Sequence, residues 1–121
     1  MVEALFDTNI LIDYLGGIPA ARDELAKFEA PAISLITWME VMVGADAAVA
    51  RATEQFLASF HLIALDTNIA RRAVKLRRQH RTKLPDAIVW ASAQAHGMLL
   101  ITRDEKAFPA NDPGIRVPYR T

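Results

Sequence analysis

Residues 2–15 read Val2-Glu3-Ala4-Leu5-Phe6-Asp7-Thr8-Asn9-Ile10-Leu11-Ile12-Asp13-Tyr14-Leu15. The run Val2–Phe6 is short and apolar and stops at Asp7-Thr8-Asn9, the pattern of a strand that ends in a turn. Ile10–Leu15 resumes an apolar helical pattern and stops at Gly16-Gly17. A strand that passes directly into a helix is the opening unit of an α/β chain, and the rest of the sequence repeats it.

Pro19 opens a second helix to about Phe28, and Ala32–Leu35 is a second strand. Thr37 starts a helix over Trp38–Ala45, and another covers Ala47–Ala58. Phe60–Leu65 is a third strand, after which Asp66 caps a long helix, Thr67–Arg81. Ile69, Ala73, Leu76 and His80 share one face of that helix, while Arg71, Lys75 and Arg78 point the opposite way. Pro85 opens a helix that Gly97 ends, and Met98–Thr102 is a fourth strand. Ile115–Tyr119, beside Pro113 and containing Pro118, is a weak edge strand. The fold class is therefore α/β: one small domain over residues 1–121, with a parallel sheet of about four to five strands and helices on both faces.

Composition agrees with a globular domain. The chain has 121 residues, 52% of them hydrophobic and 23% charged, so disorder and coiled coil are excluded. It has no cysteine, which removes disulfide scaffolds, thiol catalysis and thiolate-bound zinc. No apolar run approaches the roughly 18 residues of a membrane span. The N-terminus has no basic segment before its apolar stretch, so a reducing cytoplasm is the expected setting. Net charge is zero, with 14 Lys+Arg against 14 Asp+Glu, so nothing global draws the protein to a polyanion.

Right-handed crossovers bring every strand C-terminus to one edge of a parallel sheet, where ligands bind. Asp7 follows the first strand and Asp104 the fourth. Glu40 and Asp86 lie in the first turns of helices that start at that edge. Taken singly, each acid has a structural explanation. Thr37-Trp38-Met39-Glu40 is a capping-box pattern, Asp86 complements a helix dipole, and Asp7 and Asp104 suit turns. Taken together they do not. Two carboxylates about 4 Å apart repel by roughly 4 kcal/mol at an effective dielectric near 20. Four must protonate, spread apart or bind a cation. Oxygen donors without His or Cys favour Mg²⁺ or Mn²⁺, the equipment of phosphodiester hydrolysis.

The segments Phe6-Asp7-Thr8-Asn9, Ser34-Leu35-Ile36-Thr37-Trp38-Met39-Glu40, Leu84-Pro85-Asp86-Ala87-Ile88-Val89-Trp90-Ala91 and Leu100-Ile101-Thr102-Arg103-Asp104 occur in that order. The ordered set, from about residue 3 to residue 108, resembles a PIN domain, in particular the small ribonuclease toxins of the VapC type. The resemblance implies a Mg²⁺-dependent endoribonuclease, the toxin of a toxin–antitoxin pair. It puts Asp7, Glu40, Asp86 and Asp104 on the family's acidic positions. Asn9 falls where the first Asp is oriented, and Thr102 where the site is lined. It further implies a homodimer and a small antitoxin partner, through which alone promoter DNA is contacted. In Asp104-Glu105-Lys106-Ala107-Phe108 the sequence departs from the pattern: Ala107 stands where many such toxins carry a further Asp. Glu105 lies on a neighbouring position. Asp13, which recurs in the family's first helix, is read as a structural or surface acid.

Other residues have two readings each. Arg71, Lys75 and Arg78 form either an RNA-steering face or a solvated one. Arg103 either contacts the scissile phosphate or pairs with an acid. Trp38 and Trp90 belong to the core or an interface more naturally than to base stacking. His61, His80 and His96 form no pair in the sequence that would serve a metal-free ribonuclease. Rival functions are a metal-dependent phosphatase or phosphoryl-transfer domain, and an inactive dimeric binding module. Asp7-Thr8-Asn9 lacks the Asp-x-Asp or adjacent acid pair that the phosphoryl-transfer reading needs.

Overall fold

The structure is a computed structural model that describes residues 3–121; Val2, the first residue of the expected first strand, lies outside the described residues. Among the described residues five strands form one sheet: β1 (Ala4–Phe6), β2 (Ala32–Ser34), β3 (His61–Ile63), β4 (Leu99–Ile101) and β5 (Ile115–Arg116). Six helices connect and cover them: α1 (Thr8–Leu15), α2 (Pro19–Ala26), α3 (Leu35–Gly44), α4 (Ala50–Leu57), α5 (Thr67–His80) and α6 (Leu84–Ala95). The strand order is β3-β2-β1-β4-β5, and every pairing is parallel. From β1 the chain steps outward to β2 and β3, then crosses back to β4 on the other side of β1. Connections therefore leave β1 and β4 in opposite directions, and such a switch point opens a crevice at the strand C-termini.

Period-two alternation divides the core. Leu5, Ala32 and Leu100 face one side and pack with Ile69, Ala73 and Leu76 of α5 and Ala87, Trp90 and Ala91 of α6. Ala4, Phe6, Ile33 and Ile101 face the other and pack with Ile10 and Leu11 of α1, Val41 of α3 and Leu57 of α4. Trp90 is buried among Phe108 and His80, which settles its role as a core residue. Trp38 is partly buried against the second cluster.

Caps fix the helix ends. Asp66 accepts from the Ile69 N–H at 2.8 Å, as the sequence predicts. At α6, Gly97 takes φ 63°, with Gly97 N–H bonded to Gln94 O at 3.2 Å and Met98 N–H to Ala93 O at 2.8 Å. This paired closure needs a left-handed residue, which glycine supplies without strain. At α3 the expected capping box is wrong. Ser34 is the cap, its Oγ accepting from Thr37 N–H at 3.2 Å. The helix thus starts at Leu35, and Glu40 lies in its second turn rather than its first. Helix α4 starts at Ala50 because Asp46 Oδ1 accepts from the N–H groups of Ala48 and Val49, a local turn that competes with helix. The edge strand is only Ile115–Arg116, since Pro118 lacks an N–H to donate.

Candidate active site

Phe6 pairs in register with Ile101, so the residues that follow them, Asp7 and Thr102, emerge side by side. Asp7 caps α1 and is only 5% exposed. Its Oδ1 accepts from Thr8 N–H at 2.8 Å. Its Oδ2 accepts from the Thr102 hydroxyl at 2.8 Å and from Asn9 Nδ2 at 3.1 Å. Asn9 also donates to Thr102 Oγ1 at 3.2 Å, so these three residues form a closed ring. Burial pushes the Asp7 carboxyl up to about 6, against the hydrogen bonds from Thr102 and Thr8, with the charges of Asp86 and Glu40 adding to the rise.

Glu40 comes to the same edge from α3. Its Oε1 accepts from the Thr8 hydroxyl at 2.6 Å, and Thr8 Oγ1 lies 3.0 Å from the buried Thr37 hydroxyl. Asp86 sits in the first turn of α6. Burial raises its pKa first, then repulsion from Asp104 and Glu40, while Lys83 works the other way. Asp104 holds its own loop: Oδ1 accepts from the N–H groups of Lys106 and Ala107, and its N–H donates to Thr102 Oγ1 at 3.1 Å. Asp86 and Asp104 line one crevice, together with Ala107.

All four predicted acids therefore sit at the C-terminal edge, where the charges of Asp86 and Glu40 act on Asp7 and those of Asp104 and Glu40 act on Asp86. Among the described residues, however, no three acidic side chains converge into a ready-made ligand cage. The donor set fits a hard divalent cation of the Mg²⁺ class, which takes one or two carboxylates and keeps most of its waters. A buried carboxylate with a raised pKa and acidic neighbours is the kind of group that such a cation relieves.

Arg103 does not face the crevice as a free cation. Its Nε and Nη2 donate to Asp13 Oδ2 at 2.6 Å and Oδ1 at 3.1 Å, and the Tyr119 hydroxyl donates to the same Oδ2 at 2.8 Å. The Arg103 hydrogen bonds hold Asp13 below its ordinary pKa. Of the two readings of Arg103 the structure shows the pairing with an acid, and Asp13 is a structural acid in that pair. Glu105 is paired with Arg120, whose Nε and Nη2 donate to its carboxylate at 2.8 and 2.9 Å. Arg71, Lys75 and Arg78 are exposed on α5 and do not line the crevice of Asp86 and Asp104. From the sequence, Thr37 reads only as a helix cap and Thr8 is given no role at the site. The adjacency of Thr8 to Asp7 was the available signal, but its partner Glu40 is 32 positions away.

Comparison with known proteins gives the same answer. The family model described as PIN domain matches residues 4–112. Ribonuclease VapC10 of Mycobacterium tuberculosis is 34% identical over 113 residues, covering 87% of this chain and 85% of the relative. A chain of a toxin–antitoxin complex from Klebsiella pneumoniae is 48% identical, with a TM-score of 0.92 over 98% of this chain and 99% of that one. DNA-bound VapBC from Salmonella typhimurium shares the fold at 23% identity, with a TM-score of 0.76 over 96% of each chain. The ring around Asp7, the acids at the switch point and these matches agree, and the chain belongs to the PIN domain family, within its VapC-type ribonucleases.

Proposed function

We propose that this chain is a single-domain, divalent-metal-dependent endoribonuclease and the toxin of a toxin–antitoxin pair. The observation that carries the reading is the buried Asp7, hydrogen-bonded by Thr8, Asn9 and Thr102 yet still raised to about 6 beside Asp86 and Glu40. Asp7, Asp86 and Asp104 would hold Mg²⁺, or Mn²⁺ in its place, with Glu40 beside them as a further ligand or a partner for the cation's water. A bound divalent cation neutralises phosphate charge and makes water nucleophilic near neutral pH. Thr102 and Asn9 fix the first carboxylate, and Thr8 fixes Glu40. The exposed face of Arg71, Lys75 and Arg78 steers RNA toward the crevice.

The protein partner is a small antitoxin, and promoter DNA is reached only through it. A cavity of about 480 Å³ between α1, α3 and α4, lined by Ile12, Leu15, Val41, Gly44, Val49 and others, supports an apolar partner segment. Val43, 86% exposed, supports a self-associating face and a homodimer. Among the described residues no helix is long and apolar enough to cross a membrane.

The test is incubation of purified protein with total RNA, with Mg²⁺ and with EDTA. Metal-dependent fragmentation supports the reading. Phosphate release from a small phosphoester with intact RNA would replace it with a phosphatase, and no reaction on either would leave a binding module.

A further inference from the structure

The crevice beside Asp86 and Asp104 has a second wall that metal binding does not use. Its volume is about 360 Å³, and His80, Arg81, Thr82, Lys83 and Lys106 complete its lining. Arg81, Lys83 and Lys106 are exposed, and none is in an ion pair among the described residues. Thr82 is only 7% exposed, and its Oγ1 has no hydrogen-bond partner among the described residues. A buried hydroxyl without a protein partner is costly and rare in a native fold, and this one belongs to a residue that lines the wall.

The backbone adds to the same wall. Arg81 ends α5 in the left-handed region, at φ 56° and ψ 26°, and Arg77 Nη1 locks the turn by donating to Thr82 O at 2.6 Å. Helix α6 starts directly after it, and no side chain caps its first N–H groups. An uncapped N-terminus of a 12-residue helix carries partial positive charge and favours an anion.

We propose that this wall is a phosphate subsite, which holds the RNA phosphate next to the one cleaved. Arg81, Lys83 and Lys106 supply charge, and Thr82 Oγ1 donates a hydrogen bond to a phosphate oxygen. The proposal rests on the nuclease reading above. It explains how a polyanion enters a crevice whose other wall is Asp86 and Asp104: cations flank the acids and bind the backbone one nucleotide away.

The test is binding of a fluorescent single-stranded RNA to the full chain in EDTA, across a salt series. Arg81→Asn/Lys106→Ala removes two charges, and Asn tolerates the left-handed backbone. The slope of log affinity against log salt should become shallower by about 1.4, at roughly 0.7 per lost phosphate contact. Removing two exposed arginines from α2 and α4 (Arg22→Ala/Arg51→Ala) should leave the slope unchanged. Thr82→Val should weaken RNA binding severalfold while the melting temperature holds or rises, because the unpartnered hydroxyl is gone. A merely structural Thr82 would lose stability and keep its affinity. Equal slope changes in both charge pairs, or RNA binding indifferent to all three variants, would overturn the subsite; the latter would point to an acidic protein segment as the occupant. Wild-type binding that depends on the wall, in a protein that cleaves no RNA with Mg²⁺, would keep the subsite and end the nuclease reading instead.

Discussion

Thr102 donates its hydroxyl to Asp7 across 2.8 Å although 95 positions separate them in the chain. The parallel register of β1 and β4 makes this contact, and it fixes the orientation of the most buried acid in the site. The bond favours the charged carboxylate, but burial outweighs it and the pKa still rises.

That balance has a consequence for stability. The folded protein holds the Asp7 proton up to about pH 6, whereas the unfolded chain releases it near 3.8. Metal-free stability should therefore fall as pH climbs from about 4 to 6, then level off with a cost of about 3 kcal/mol from this group. Urea melts in EDTA at pH 4 to 8, compared between wild type and Asp7→Asn, check it. The variant should lose this part of the slope and be relatively more stable at pH 7; parallel curves would contradict the burial argument.

Thr8 holds Glu40 through a 2.6 Å bond. A hydrogen bond to a charged group contributes about 1.5–3 kcal/mol. Thr8→Val should slow RNA cleavage by about tenfold or more, and Thr8→Ser should restore it. Single-turnover rates at saturating Mg²⁺ measure this; equal rates for Val and Ser would detach Thr8 from the site.

Arg103 and Asp13 pair inside the fold, with Tyr119 of the C-terminal segment as the third member. Arg103→Ala should destabilise by about 2 kcal/mol, less than a fully buried pair because Arg103 keeps part of its side chain in solvent. Its RNA salt dependence should match wild type. A stable variant with a shallower slope would return Arg103 to the RNA.

The basic face of α5 makes a different prediction. The triple variant Arg71→Ala/Lys75→Ala/Arg78→Ala should lower the association rate for RNA at low salt, with the difference fading at high salt as screening shortens the field. Stopped-flow association at two salt concentrations checks it; identical rates would make this face a solvated surface.

Much of this was legible in the chain because the fold writes short-range signals. Apolar runs of a few residues, Asp66 before a helix and Gly97 after one gave the alternation, the parallel sheet and the edge where the acids meet. Long-range choices were not legible. Ser34 and Thr37 both suit a helix cap, and only the end of β2 decides for Ser34. Arg103 suits a phosphate as well as a carboxylate until Asp13, 90 positions earlier, is placed within 2.6 Å of it. The basic residues at the crevice are Arg81, Lys83 and Lys106, which sit in loops or at a helix end where no periodicity points.

The most direct measurement is cleavage of an end-labelled RNA with Mg²⁺, beside Asp86→Asn, with both product ends mapped. Wild type should leave 5′-phosphate and 3′-hydroxyl ends, and Asp86→Asn should fold normally and cleave at least about a hundredfold more slowly. Cyclic phosphate ends, or full activity in metal-saturated Asp86→Asn, would contradict a carboxylate-held cation that activates water.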